Sequence, residues 1–116
     1  MQFDVEIVLR ERDTATTERL EHGIEPAAWG EPDVETVLKQ ILLAIDRAKN
    51  PGVASRFVAL RGFSWIVEPV GDQVVIAIEI PMGAAVAGPF AIEAQRLDGL
   101  IRRVIAAAAL PGPTIH

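Results

Sequence analysis

Along "FDVEIVL" (residues 3–9), Phe3, Val5, Ile7 and Leu9 alternate with Asp4, Glu6 and Val8. A period of two marks a half-buried β-strand. The pattern then lapses over residues 11–32, where Gly23, Pro26, Gly30 and Pro32 interrupt it. A structureless connection of that length is unusual in a compact domain, so a short helix over Thr14–Glu21 is expected within it. From Pro32 or Asp33 onward, Val34, Val37, Leu38, Ile41, Leu42, Ile45 and Ala48 trace the apolar stripe of an amphipathic helix. Glu35 and Lys39 stand four apart with the acid first, the favourable order. "KNPG" (49–52) ends that helix, because Asn accepts a left-handed cap and Pro51 cannot continue the ladder.

Two β-rich runs follow, "RFVALRGFSWIVEP" (56–69) and "QVVIAIEIP" (73–81), joined by "VGD", a hairpin signal. The second run is apolar on both faces, which predicts a strand in the interior of a sheet. Gly62 breaks the alternation of the first run and suggests a bulge. With a bulge, Val58 and Leu60 share a face with Phe63, Trp65 and Val67; without one, Phe57, Phe63 and Trp65 lie opposite Val58, Leu60 and Ile66. A last amphipathic helix carries Ile92, Leu97, Leu100, Ile101, Val104, Ile105 and Ala108 inward, supported by an Asp98–Arg102 pair.

The predicted fold class is α+β in the order β-α-β-β-α: a three-stranded antiparallel sheet with two main helices on one face. All 116 residues form one domain. The order matches the first five elements of a ferredoxin-like βαββαβ unit, in which the strand at 73–80 lies between the other two and the first strand is left as an open edge. Fold of this kind carries no function by itself.

Composition narrows the chemistry. Half the residues are hydrophobic, with four Phe, two Trp and no Tyr, so the core is built from Val, Ile, Leu and Ala. Without cysteine, disulfides, thiol nucleophiles and cysteine metal sites are excluded. The N-terminus alternates and carries acids, unlike a signal peptide, and no window reaches the roughly 18 apolar residues of a membrane span. These features predict a soluble, cytoplasmic protein with no membrane role. The net charge of −5 is concentrated: residues 11–35 hold eight acids against Arg12 and Arg19, a balance of −6, and the rest of the chain sums to +1. No basic cluster suits nucleic acid; a basic protein partner for the 11–35 segment is the matching expectation.

"IPMGAAVAGPF" (80–90) contains a G-x-x-x-x-G spacing, Gly83 to Gly88. A nucleotide loop would continue with Lys and Ser or Thr, whereas Pro89 and Phe90 stand there. Two readings remain: a tight strand-to-helix connection with Pro89 opening the helix, or an anion site in which Gly83, Ala84 and Gly88 offer backbone N–H groups at a helix N-terminus. His22 lies among Glu18, Glu21 and Glu25, and on a helix Glu18 and His22 would share a face, a donor set for metal or acid–base work; a solvated face is the simpler reading. Ser55 and Ser64 have no histidine near them in sequence. Glu79, with Glu6 near it and Arg61 as counter-ion, is the remaining acid–base candidate, and a structural ion pair is its simpler reading. No catalytic constellation, cofactor or metal site is therefore predicted. A sheet with helices on one side leaves its other face bare. Val8, Phe57, Phe63, Trp65, Val75 and Ala77 are the candidate interface residues for a homo-oligomer, most simply a dimer. A covering of that face by the 11–32 segment is the competing expectation.

Overall fold

The computed structural model describes residues 1–12, 14–52 and 58–109. It is an α+β fold built on a five-stranded antiparallel sheet. The strands are β1 (Gln2–Leu9), β2 (Thr16–Glu21), β3 (Ser64–Val70), β4 (Gln73–Ile80) and β5 (Gly83–Phe90), and the helices are α1 (Glu31–Lys49) and α2 (Ala94–Ala109). The order across the sheet is β2-β1-β5-β4-β3. A single 3₁₀ turn, Pro26–Ala28, leads into α1.

Two of these strands overturn the expected three-stranded, ferredoxin-like sheet. Thr16–Glu21 is a strand and not a helix. It pairs with β1 from Gln2↔Glu21 to Ile7↔Thr16, so Glu18 and Leu20 turn inward on a period of two. Gly83–Phe90 is a strand as well, pairing with β1 on one side and β4 on the other. The second helix accordingly starts at Ala94, and Pro89 lies within β5 after a cis Gly88–Pro89 bond. β1 is thus an interior strand, and β2 and β3 are the edges. β4 is interior as predicted, but its neighbours are β3 and β5.

Gly62 precedes β3 with φ +80° and is not a bulge within a strand. Residues 58–63 form no strand; Leu60 is buried, while Phe63, Trp65 and Val67 are half-buried against the core. The bulge lies elsewhere. Between the pairs Val74↔Phe90 and Ile76↔Ala87, β5 holds Gly88 and Pro89 opposite the single residue Val75. Gly88 has φ +136°, a conformation that L side chains rarely adopt. The β3–β4 hairpin turns through Gly71 and Asp72, with Gly71 at φ +64° supplying the left-handed residue of the predicted turn.

Both helices cover one face of the sheet. Phe3, Val5, Ile7 and Leu9 from β1, Val74, Ile76 and Ile78 from β4, and Ala85, Ala87 and Phe90 from β5 are buried beneath them. α1 contributes Val34, Val37, Leu38, Ile41, Ala44 and Ile45, and α2 contributes Leu97, Leu100, Ile101 and Val104. Small side chains on β5 let the helices approach the middle of the sheet, while β1 and β4 on either side fill the space with larger ones. Arg12 donates to the carbonyls of Ala48 and Lys49 at 2.6 and 3.3 Å, satisfying groups that the end of α1 leaves open. The Lys39–Glu35 and Arg102–Asp98 pairs form as predicted, at 2.8 and 2.7 Å.

Candidate functional site: the bare face of the sheet

Among the described residues, the helices and the 11–32 segment lie at the edge or on the inner side of the sheet. Four rows of side chains point the other way, the one at the far end holding Glu21, Gln2, Gln73 and Val70. One row reads Val8, Ala84, Glu79, Ser64 across β1, β5, β4 and β3. The next reads Thr17, Glu6, Val86, Ala77, Ile66 across all five strands. The third reads Arg19, Asp4, Gly88, Val75, Glu68, with Gly88 set against Val75 at the bulge. A diagonal of Val8, Ala84, Val86, Ala77, Ile66 and Val75 is therefore apolar. Val8, Val86 and Ile66 are 48%, 43% and 52% exposed, high values for aliphatic side chains so close together. A shallow open depression of about 270 Å³ lies between Ile66, Ala77, Glu79, Ala84 and Val86.

Of the interface residues expected from sequence, Val8, Val75 and Ala77 meet on this face. Phe63 and Trp65 do not. They are half-buried on the helix side, where the Arg102 guanidinium stands 5.5 Å above the Trp65 ring. Phe57 lies outside the described residues. The structure adds Ala84, Val86 and Ile66. Ile66 was legible in its alternation with Trp65 and Val67, but Ala84 and Val86 were hidden in the stretch read as a connection. Gly83, Ala84 and Gly88 sit on a strand between two others, not in a loop at a helix N-terminus, so the backbone donors that an anion site required face β1 and β4.

The acid–base candidates are dispersed. Glu79 and Glu6 both face outward but are separated by β5, about 10 Å of sheet, and by one row. Arg61 is on the helix side, lining a depression with Asp46 and Lys49 near the end of α1. His22 is at the end of β2, and its partner is none of Glu18, Glu21 or Glu25. Glu18 pairs with Arg47 of α1, while His22 Nε2 lies 3.0 Å from Asp33 Oδ1. The His22 ring also meets the edge of Trp29, with centroids 6.0 Å apart. No group of three or more His, Cys, Asp or Glu side chains suited to a metal occurs among the described residues.

Asp33 ties this corner together. Its Oδ2 accepts the Gly30 backbone N–H at 2.9 Å, closing the first turn of α1, while Oδ1 faces His22. The Gly30 hydrogen bond, and secondarily the His22 contact, hold the Asp33 carboxyl below the usual aspartate range. A carboxyl depressed on folding stabilises the native state above its unfolded value and loses that contribution as pH falls through the folded value. Asp33→Asn should therefore be less stable than the parent at neutral pH, with the gap closing below about pH 4. Urea denaturation across a pH series measures it, and a gap that persists undiminished in acid would contradict the assignment.

Comparison with protein-family models, with curated proteins and with solved structures finds no match to this chain. No helix among the described residues is long and apolar enough to cross a membrane.

Proposed function

We propose that this chain is a small interaction module without chemistry of its own, which self-associates through the bare face of its sheet. The observation that carries the reading is the cluster of exposed aliphatic side chains, Val8, Val86 and Ile66, with Ala77, Ala84 and Val75 between them. Such a surface is costly to leave in water, at about 25 cal/mol per Å² of apolar area. The scattered positions of His22, Arg61 and Glu79 support the non-catalytic part.

Size supports a protein partner over a small ligand. Five strands about 4.8 Å apart and six to eight residues long present a face of about 600 Å². Two such faces bury about 1,200 Å², at the lower end of the range of specific interfaces. The 270 Å³ depression is open and shallow, unlike the concave pockets that enclose ligands. The acidic 11–35 segment is less suited to a basic partner than its composition implies. Glu18, Glu31, Asp33 and Glu35 are already engaged by Arg47, Arg103, His22 and Lys39.

Light scattering on eluting protein at low micromolar concentration tests the reading: the expected mass is twice the 12.5 kDa of the chain. Val86→Arg should return it to monomer without unfolding, since Val86 is 43% exposed and a charge at the centre of the face cannot be buried unpaired. A parent protein that stays monomeric would remove the proposal, as would a dimer indifferent to Val86→Arg.

A further inference from the structure

The bare face has a self-complementary charge plan. Its middle strand, β5, presents Ala84, Val86 and the Gly88–Pro89 bulge outward, with no charged side chain among them. The bases lie to one side: Arg19 on β2, and Arg10 just beyond the end of β1, where it lines a depression with Val8, Glu79 and Ala84. Glu68 on β3 and Glu79 on β4 lie to the other side, and neither carries an ion pair among the described residues. The remaining acids are Glu6 and Asp4 on β1, with Asp4 held by Arg19 at 2.9 Å, and Glu21 at the far end of β2.

Resting on the reading that a second copy occupies this face, we infer that two copies stack face to face about a two-fold axis running along β5. Such an axis lays β4 of one copy over β1 of the other, and β3 over β2, with each row facing its own counterpart. Val86 then meets Val86, Ala84 meets Ala84 and the Gly88–Pro89 bulge meets its own counterpart, so uncharged side chains line the axis where the sheets approach most closely. Arg19 faces Glu68 of the other copy, twice by symmetry. Glu79 faces Val8 with Arg10 beside it, again twice. Glu6 faces Ala77 and Thr17 faces Ile66. Stacked sheets cross at about −30°, an offset that the long Arg19 and Glu68 side chains can span. An axis across the strands performs worse. It sets Asp4 over Val8 and Glu79 over Val75, and it leaves Arg19 and Glu68 without partners. An isologous interface needs each patch to complement itself, and only the axis along β5 achieves that here.

The chain has no cysteine, so single introduced thiols read the arrangement directly. In the full chain, Ala84→Cys is expected to cross-link to its own counterpart with a short bismaleimide. Ile66→Cys should not, because its counterpart lies about 19 Å away across four strand spacings. Charge reversal gives the second arm. Arg19→Glu and Glu68→Arg should each weaken the dimer about ten-fold, and the double variant should recover most of the loss, because opposed charge pairs couple. Sedimentation equilibrium at low and high salt measures all three, with the differences shrinking in salt. Cross-linking through Ile66→Cys in place of Ala84→Cys, or a double variant as weak as both losses combined, would overturn the axis while leaving self-association standing. A monomeric parent, or a dimer untouched by Val86→Arg, defeats the self-association reading itself.

Discussion

Replacing Trp29 with alanine should cost about 3–5 kcal/mol of folding stability, the largest single loss expected in this protein. Trp29 has no solvent exposure, although it lies in the connection between β2 and α1. Its ring packs on Phe90 with centroids 5.1 Å apart, and Phe90 in turn meets Phe3 at 5.1 Å. These contacts bind the connection to β5 and β1. The indole N–H donates to the Ile24 carbonyl at 2.8 Å, so the ring is buried without an unsatisfied polar group. Arg96 of α2 closes the arrangement by donating to the Ala27 and Trp29 carbonyls, both at 2.8 Å. Truncation would leave a cavity at the meeting point of two strands, two helices and the connection, and a domain of this size has only about 5–15 kcal/mol in all. Trp65→Ala should cost less than half as much, because Trp65 is only half-buried near the β3 edge. Urea unfolding followed by circular dichroism compares the two, and equal losses would refute this account of the core.

The second large effect is at Gly83. A Cβ there would lie 2.2 Å from the Val8 carbonyl oxygen and 3.0 Å from the Leu9 Cα. Both are backbone atoms of the neighbouring strand, so no side-chain rotation relieves the contact. Gly83→Ala must push β1 from β5 at the end of their ladder, and a loss of about 3 kcal/mol is expected, at the upper end of overpacking effects. Gly23→Ala provides the comparison. Nothing lies within 4 Å of its added Cβ, and its stability should change by no more than about 0.5 kcal/mol. If both variants unfolded alike, the glycine at 83 would not be spacing two strands. The same result bears on the anion reading, since the close approach that Gly83 permits is to the chain's own backbone.

What local pattern could and could not say follows from these elements. β4 is legible as a run of β-branched residues apolar on both faces, while β1 and both helices carry strong periodicity because each has one face against the core and one facing away. β2 has little of it. As an edge strand it is mostly wet, its inward positions include the ion-paired Glu18, and the Glu18–His22 spacing suits a helix as well as a strand. β5 has the opposite difficulty. Its Ala, Gly and Pro residues have low strand propensity, and only pairing on both sides by β1 and β4 makes it a strand. The candidate site inherited both errors. With β5 missing, Ala84 and Val86 could not be placed on the face, and Glu6 and Glu79 looked closer together than they are.

The sequence by itself determined the α+β class, the two helices with their i,i+4 ion pairs, the β3–β4 turn at Gly71, and the pairing of an aliphatic core with a second face bearing Val8, Val75 and Ala77. Those features depend on periodicity and local backbone chemistry, which act over a few residues. The tertiary structure alone decided that the sheet has five strands, that Trp29 is at the centre of the core, that His22 meets Asp33, and that β5 is the middle strand of the bare face. Each of these depends on contacts between segments distant in the chain, whose energies no single segment carries.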